Sequence, residues 1–191
     1  MKTNAFKARV ETVLIILWFV LTGLFRTTDA LAQTPTLCAS PDQSPEQMAQ
    51  VQKRVDEWAK AGGQRITGIT TIPVSVHVVH QSTGLGDVTD QQVYDQINAL
   101  NDGFSSTDFQ FSLCSIDRTS NDNWADHQYN TQEEIAMKQA LAIDPNYVLN
   151  FYICASLGGS GVFGYARFPW EGLAAYMHGV VLKFSTLPGG L

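Results

Sequence analysis

The chain has 191 residues, of which 45% are hydrophobic and 16% are charged, and its formal net charge is −6 at pH 7. A length of this order predicts one domain of ordinary size. The acidic balance and the lack of any cluster of Lys and Arg in the sequence exclude a protein that binds nucleic acid or anionic lipid, because both need concentrated positive charge.

The N-terminus has the three parts of a secretory signal peptide. Basic residues are followed by an apolar run over residues 13–25 and then by a small-residue cleavage site at Ala30-Leu31-Ala32. The run is shorter than the roughly 20 residues that a membrane-spanning helix needs. Residues 1–32 are therefore interpreted as a signal peptide, with an uncleaved anchor as the alternative. The mature protein is predicted to be secreted and extracellular, without membrane association after cleavage.

Three cysteines, Cys38, Cys114 and Cys154, leave at least one thiol unpaired in a compartment that favours disulfides. Cys114 and Cys154 each lie in an apolar run and are expected to be buried like small hydrophobic residues. A disulfide between them is the alternative, and it fails if another strand lies between theirs. Cys38 lies in a polar leader, and a partner outside the chain is one option for it.

The segment after the leader has the pattern of a capped helix. Ser44 is expected to be the N-cap, Pro45 lies in the first turn and Gln47 has the capping-box position. Residues 62–63 are both glycine and are expected to end the helix. One face of this helix carries an apolar stripe of Met48, Val51, Val55 and Trp58. Residues 33–65 are interpreted as a pro-segment or N-terminal arm, and an ordinary first helix of the domain is the alternative.

The central part of the chain alternates between strand and helix patterns. Each predicted strand is rich in β-branched and aromatic residues, and each helix opens with a capping box. This order predicts parallel strands joined by right-handed crossovers. A polar loop is expected at residues 118–130. The predicted elements are strands at residues 72–80, 109–114 and 147–154, and helices opened by Thr89 and Thr131.

The C-terminal part departs from this alternation. The connection at residues 157–161 is too short for a crossover, so the strand at residues 162–168 is expected to run antiparallel to a neighbour. Pro169 after it indicates a sheet edge, and a last strand is predicted at residues 179–185. The Gly158-Gly159-Ser160-Gly161 stretch is similar to a serine elbow, but a strand pattern follows it where the elbow requires a helix.

Neither the histidines nor the aspartates form a metal-binding pattern. His77 and His80 are three residues apart on a strand, so their side chains point to opposite faces and cannot share a metal. His127 and His178 are predicted to have solvated or hydrogen-bonded surface roles. Five aspartates fit no EF-hand loop and are interpreted as solvated loop residues. They are Asp87, Asp90, Asp117, Asp122 and Asp126.

Several ordered blocks between residues 72 and 190 resemble the pappalysin (cytophagalysin) family of secreted metzincin zinc proteases. The resemblance implies an α/β fold like a metzincin upper subdomain, with a mixed, mostly parallel five-stranded sheet, crossover helices and an antiparallel edge strand. The blocks are residues 72–79, like the family's first strand, residues 117–119 and 123–124, residues 137–141, like its second crossover helix, and residues 164–170, 179–181 and 187–190.

In such proteases the antiparallel edge strand forms the upper rim of the cleft and hydrogen-bonds an extended peptide or protein substrate. The resemblance assigns this role to the backbone of Val162, Phe163, Gly164, Tyr165 and Ala166. An exposed strand edge can bind a peptide by strand addition, and the alternative is a short edge strand that binds nothing. In a latent precursor, Cys38 is then a candidate latency ligand for zinc.

The family's His-Glu-x-x-His-x-x-Gly-x-x-His motif does not occur in these 191 residues. In the family its three histidines bind zinc and its glutamate is the general base. Residues 66–191 are therefore interpreted as a partial catalytic domain without the zinc-binding helix, with no catalytic or metal-binding residue and no zinc bound by this chain as given.

The predicted function is the N-terminal portion of a secreted zinc metalloendopeptidase, inactive as this truncated chain. The alternative is a secreted non-catalytic peptide-binding module or decoy derived from the protease fold.

Overall fold

The computed structural model describes residues 38–63, 67–159, 161–168 and 170–190. The predicted signal peptide and Ser160 of the elbow-like stretch lie outside these ranges. In the described part of the chain, no helix is both long enough and apolar enough to cross a membrane.

The described elements follow the predicted order along the chain. The predicted capping boxes are present in two helices. Ser44 and Gln47 form the one in α1, and Thr89 and Gln92 form the one in α2. The elements are α1 (Pro45–Lys60), β1 (Thr70–His80), α2 (Asp90–Gly103), β2 (Phe109–Ser120), α3 (Asp122–Ala125), α4 (Gln132–Leu141), β3 (Leu149–Cys154), β4 (Gly164–Ala166) and β5 (Val180–Lys183).

The five strands form one sheet in the order β2-β1-β3-β5-β4. β1 pairs in parallel with β2 and β3, and β3 pairs in parallel with β5. β4 pairs only with β5 within the sheet, and it runs antiparallel to that strand. The mixed, mostly parallel sheet with an antiparallel edge strand is confirmed.

The two faces of the sheet are covered by different helices. Because side chains alternate along a strand, Val76 and Val78 of β1 face Val93 of α2 in one apolar cluster. Val79 of β1 lies with Met137 of α4 in the other cluster. We call these the α2 face and the α4 face. β1 is buried on both, as its apolar sequence predicts.

β2 is longer than predicted, because it continues through the start of the expected polar loop to Ser120. Its partner β1 is equally extended, and the pairing runs to His80 opposite Ser120. A short helix capped by Asn121 occupies the next part of that loop.

The expected burial of Cys114 is wrong, whereas Cys154 is buried. Leu113 and Ser115 pair with the adjacent residues Val74 and Ser75, so Cys114 is the extra residue of a bulge on an edge strand, and its side chain is exposed. All three cysteines are free. β1 lies between the strands of Cys114 and Cys154, which rules out a disulfide between them.

The apolar stripe of α1 does not pack into the core. Met48, Val55 and Trp58 are each about half exposed, and α1 contains no buried residue. The capping box and the left-handed Gly62 fix where this helix begins and ends. The apolar stripe does not determine whether that face of the helix is buried.

Candidate functional site

The outer edge of β4 is the candidate site. β4 contains only Gly164, Tyr165 and Ala166 of the five predicted residues, and Val162 and Phe163 precede it. Tyr165 pairs with Val181 of β5. The carbonyl oxygen of Gly164 and both backbone groups of Ala166 point away from β5 and bond to another segment.

The segment that occupies this edge is residues 38–43, which belong to the predicted pro-segment or N-terminal arm at residues 33–65 and are called the arm from here on. Cys38 forms a parallel bridge with Gly164, and the Ala39 amide donates to the Gly164 carbonyl at 3.1 Å. The Ser40 hydroxyl lies 2.9 Å from both the carbonyl oxygen and the amide nitrogen of Ala166, as donor to the first and acceptor from the second. The structure therefore brings the two predicted site components, Cys38 and the edge strand, into direct contact.

A groove of about 420 Å³ runs beside this pairing on the α2 face of the sheet. Its walls include Phe163, Val180 and Leu182, and both Cys38 and Ser40 line it. Gly164 has no side chain to fill it, and a Cβ there would lie 2.6 Å from Leu182 Cδ2. The glycine thus permits the close packing of β4 on β5, and the groove offers an apolar surface next to the edge.

The predicted surface position of His127 is wrong. His127 is only 2% exposed; its Nδ1 lies 2.6 Å from the Trp124 carbonyl oxygen and its Nε2 faces the Tyr165 hydroxyl. The Nδ1–H donates to the carbonyl, so Nε2 accepts from the tyrosine. Burial lowers the pKa of His127, although the Trp124 carbonyl and the charge of Glu134 oppose the shift.

A buried cluster of charged side chains lies behind β4 on the α4 face, and the sequence reasoning missed it. The Glu134 carboxylate accepts from Arg167 Nη2 at 2.7 Å and from Lys138 Nζ at 3.0 Å. Glu134 was expected to complete a capping box on Thr131, but its Oε2 accepts from the Asn130 amide instead. The i, i+4 spacing of Glu134 and Lys138 was the available signal, and it carries no information about burial.

The charges in this cluster shift one another's proton affinity. Burial by itself would raise the pKa of Glu134, but the hydrogen bond from Arg167 and the charge of Lys138 outweigh it and lower that pKa. Burial also lowers the pKa of Lys138, against the attraction of Glu134. A buried ion pair of this kind is costly to form and more costly to break.

His77 and several of the aspartates form structural contacts. His77 is fully buried, with Nδ1 2.6 Å from Asp117 and Nε2 2.9 Å from Asn150. The prediction that the aspartates are solvated loop residues is wrong for Asp117, which is half-buried in β2, whereas the other four are exposed. Several of them also pair with nearby donors. Asp87 and Asp90 bind Arg118, Asp117 contacts His77, and Asp122 accepts from Ser82.

The residues that the structure describes do not fit a zinc site. Within those ranges, no three His, Cys, Asp or Glu side chains are grouped so that they could hold a metal ion. The thiol of Cys38 is one candidate ligand at the edge and is exposed.

Sequence comparison relates the chain to fungal proteins named extracellular metalloproteases. It is 32% identical to that of Colletotrichum graminicola over 162 residues, which cover 80% of this chain and 56% of the relative. It is 40% identical to that of Verticillium alfalfae over 134 residues, or 65% of this chain and 45% of the relative. No protein-family model matches the chain.

Solved structures with the same fold include two of a bacterial protein. A mutant promirolysin of Tannerella forsythia aligns with a TM-score of 0.56 and 22% identity over 78% of this chain and 60% of that one. Mirolysin in complex with a compound aligns with a TM-score of 0.52 and 23% identity over 63% of this chain and 55% of that one. The chain spans about half the length of the curated relatives that it matches.

Proposed function

We propose that this chain is the N-terminal portion of a secreted zinc metalloendopeptidase of the pappalysin type, and that its part is to bind the extended substrate. The observation that carries the proposal is the pairing of residues 38–40 with the outer edge of β4. This intramolecular pairing supports a role for the edge in binding an extended backbone. Similarity to extracellular metalloproteases supports the class of activity.

The physical basis is strand addition. An edge strand offers unpaired backbone donors and acceptors at fixed spacing, and these bind any extended peptide while side-chain pockets select among sequences. In β4 the groups offered are the Gly164 carbonyl and both backbone groups of Ala166. A substrate would take these hydrogen bonds from the arm, with the 420 Å³ groove beside it for an apolar side chain.

The arm is then a pro-segment that covers the substrate edge in the precursor. Besides the hydrogen bonds of Ala39 and Ser40, the arm forms a further one at Gln43, whose side chain accepts from Trp170 Nε1 at 2.9 Å. Cys38 is placed at the end of this pairing with an exposed thiol. We infer that this thiol is the latency ligand of a zinc ion held by the part of the protein that lies downstream of these residues.

The sheet has a face that such a downstream part would cover. Val180, Leu182 and Phe184 pack against the α2-face core but stay only half buried. An apolar helix packed there would complete their burial at about 25 cal/mol per Å² of apolar surface. Zinc bound by that helix would supply a Lewis acid and an activated water; the residues described here orient the peptide and exclude solvent from one side.

The experiment that tests this proposal is to read the transcript beyond the codon for Leu191. A continuing frame that encodes His-Glu-x-x-His-x-x-Gly-x-x-His is expected, and the longer product should cleave a denatured protein substrate and lose that activity with a zinc chelator. A stop codon there would contradict the protease proposal and favour the secreted, non-catalytic peptide-binding module or decoy. Cleavage that persists after zinc removal would also contradict it.

A further inference from the structure

The charge cluster behind β4 connects three separate parts of the fold. Glu134 and Lys138 belong to α4, whereas Arg167 directly follows β4. Lys138 Nζ also donates to the Met177 carbonyl at 3.0 Å, just before β5. The cluster thus holds both ends of the connection between β4 and β5 to one turn of α4.

Because side chains alternate along β4, the residues that contact the charge cluster are direct neighbours of the residues that pair with the arm. Tyr165 and Arg167 point to the α4 face, where both are buried, while Gly164 and Ala166 line the groove on the other face. The strand is therefore held from behind at two alternate residues. Gly164, before Tyr165, and Ala166, between Tyr165 and Arg167, carry the backbone groups that pair with the arm.

The geometry at Glu134 fixes the position of Arg167 in more than one direction. Its two oxygens receive Arg167 Nη2 at 2.7 Å and Nε at 3.4 Å. The guanidinium also lies 3.9 Å from the Tyr129 ring centroid, and Nη2 contacts the Asn130 side chain at 3.3 Å. A planar guanidinium with this many partners has few alternative positions, so the residue before it in the chain, Ala166, is held as well.

Burying charged side chains costs desolvation free energy even when the charges are paired. Replacing a buried ion pair by apolar side chains of similar size is often neutral or stabilising, so stability alone does not account for it. What an apolar replacement would not provide is a fixed lateral position for a strand of only three residues with one neighbour in the sheet.

We propose that Glu134 is a positioning residue for the peptide-binding edge, and that it acts on β4 through Arg167. The use of that edge rests on the proposed function, but the positioning itself does not. Tyr165 adds a second anchor through His127. Loss of the Glu134 carboxylate is expected to loosen β4 and to leave the central strands in place.

Hydrogen exchange of the 191-residue chain, without any substrate, tests this inference. In Glu134→Gln, exchange at residues 164–167 should rise by about 10-fold to 100-fold, the range expected for loss of hydrogen bonds between charged groups. Exchange in β1, at residues 74–79, should change much less. The control Glu133→Gln alters the exposed neighbour on the same helix and should match the wild type in both segments. An equal rise in both segments would overturn the inference, because that is the result of a general loss of stability.

Glu134→Gln removes the charged partner of both Arg167 and Lys138. The double variant Glu134→Gln/Arg167→Met tests which of the two losses affects β4. If Glu134 acts through Arg167, Arg167→Met should raise exchange at residues 164–167 as much as Glu134→Gln does, and the double variant should exchange no faster than either. Effects that multiply in the double variant would refute that route. If Glu134→Gln fails to fold, shown by reaction of the buried Cys154 thiol, Arg167→Lys replaces it and should give a smaller selective rise.

These outcomes are independent of the transcript experiment. A stop codon after Leu191 leaves the exchange result unaffected, and unchanged exchange at β4 leaves the protease proposal intact.

Discussion

Gly179 is the residue that lets β5 begin next to β3. Its φ is +113°, and a Cβ there would lie 2.3 Å from the Asn150 carbonyl oxygen, which is backbone and cannot move aside. We expect Gly179→Ala to lower the free energy of unfolding by about 2–6 kcal/mol, since the backbone strain costs about 1–3 kcal/mol and overpacking adds about 1–3 kcal/mol. Denaturant unfolding measures this.

The matched control is Gly189→Ala. Gly189 also has a positive φ, of +73°, but a Cβ there meets nothing within 4 Å. It should lose only the strain of the left-handed conformation, about 1–2 kcal/mol. An equal loss in the two variants would show that the contact with Asn150 does not matter.

His127 makes the stability of the fold depend on pH. Because burial lowers its pKa below the ordinary value of 6.5, the folded state keeps it neutral where the unfolded chain takes up a proton. The contribution of His127 to the free energy of unfolding should therefore be fully present above about pH 6.5. It should be lost as the pH decreases from there towards the folded pKa. Glu134, Lys138 and Asp126 are the charged groups that act on this ring.

Unfolding of wild type and His127→Gln between pH 7.5 and pH 5.5 tests this dependence. The variant should be less stable throughout but should lose less stability across that interval. His178→Gln, at a half-exposed position, should keep the wild-type dependence. If His127→Gln retains the full dependence, another group is responsible for it.

At the scale of single elements, the arm is held on β4 by few contacts, and Ser40 provides two of them. Ser40→Ala removes both hydrogen bonds to Ala166. Each contributes about 0.5–1.5 kcal/mol, so exchange at the Ala166 amide should rise by roughly one order of magnitude. Ser44→Ala is the control, because it removes only the cap of α1. Equal exchange at Ala166 in the two variants would mean that the arm does not protect the edge.

Helix α1 shows what an element's own sequence determines and what it does not. Ser44, Gln47 and Gly62 set its ends through local hydrogen bonds and backbone conformation, so both ends were predictable. Its apolar stripe includes Met48, Val55 and Trp58, yet these residues are about half exposed. Burial depends on which surface lies opposite, and no local pattern encodes that.

For the molecule as a whole, the half-buried apolar surface around β5 predicts association in solution. Phe163 is 42% exposed at the rim of the groove, and exposed apolar patches of this kind favour self-association. Phe163→Gln should reduce binding of an apolar dye and the fraction of dimer in sedimentation. Tyr147→Gln, at a residue that is 78% exposed and outside the groove, should leave both unchanged. A fully monomeric wild type that binds no dye would contradict this expectation.

The sequence by itself determined the order of the main strands and helices, the N-cap residues, the parallel pairing of the central strands and the antiparallel direction of β4. These follow from side-chain periodicity and short-range hydrogen bonds, which a linear pattern records. It also determined that His77 and His80 cannot share a metal, since strand geometry fixes their opposite directions.

Only the tertiary structure decided which polar residues are buried together. His127 lies in a polar stretch, and Glu134, Lys138 and Arg167 carry charges that predict exposure, yet all four are buried behind β4. Each also has a partner in another element: Tyr165 for His127, Arg167 for Glu134 and the Met177 carbonyl for Lys138. The desolvation of each is offset only when these partners are in place. The occupied edge has the same origin, because Cys38 and Gly164 meet only when the sheet has formed.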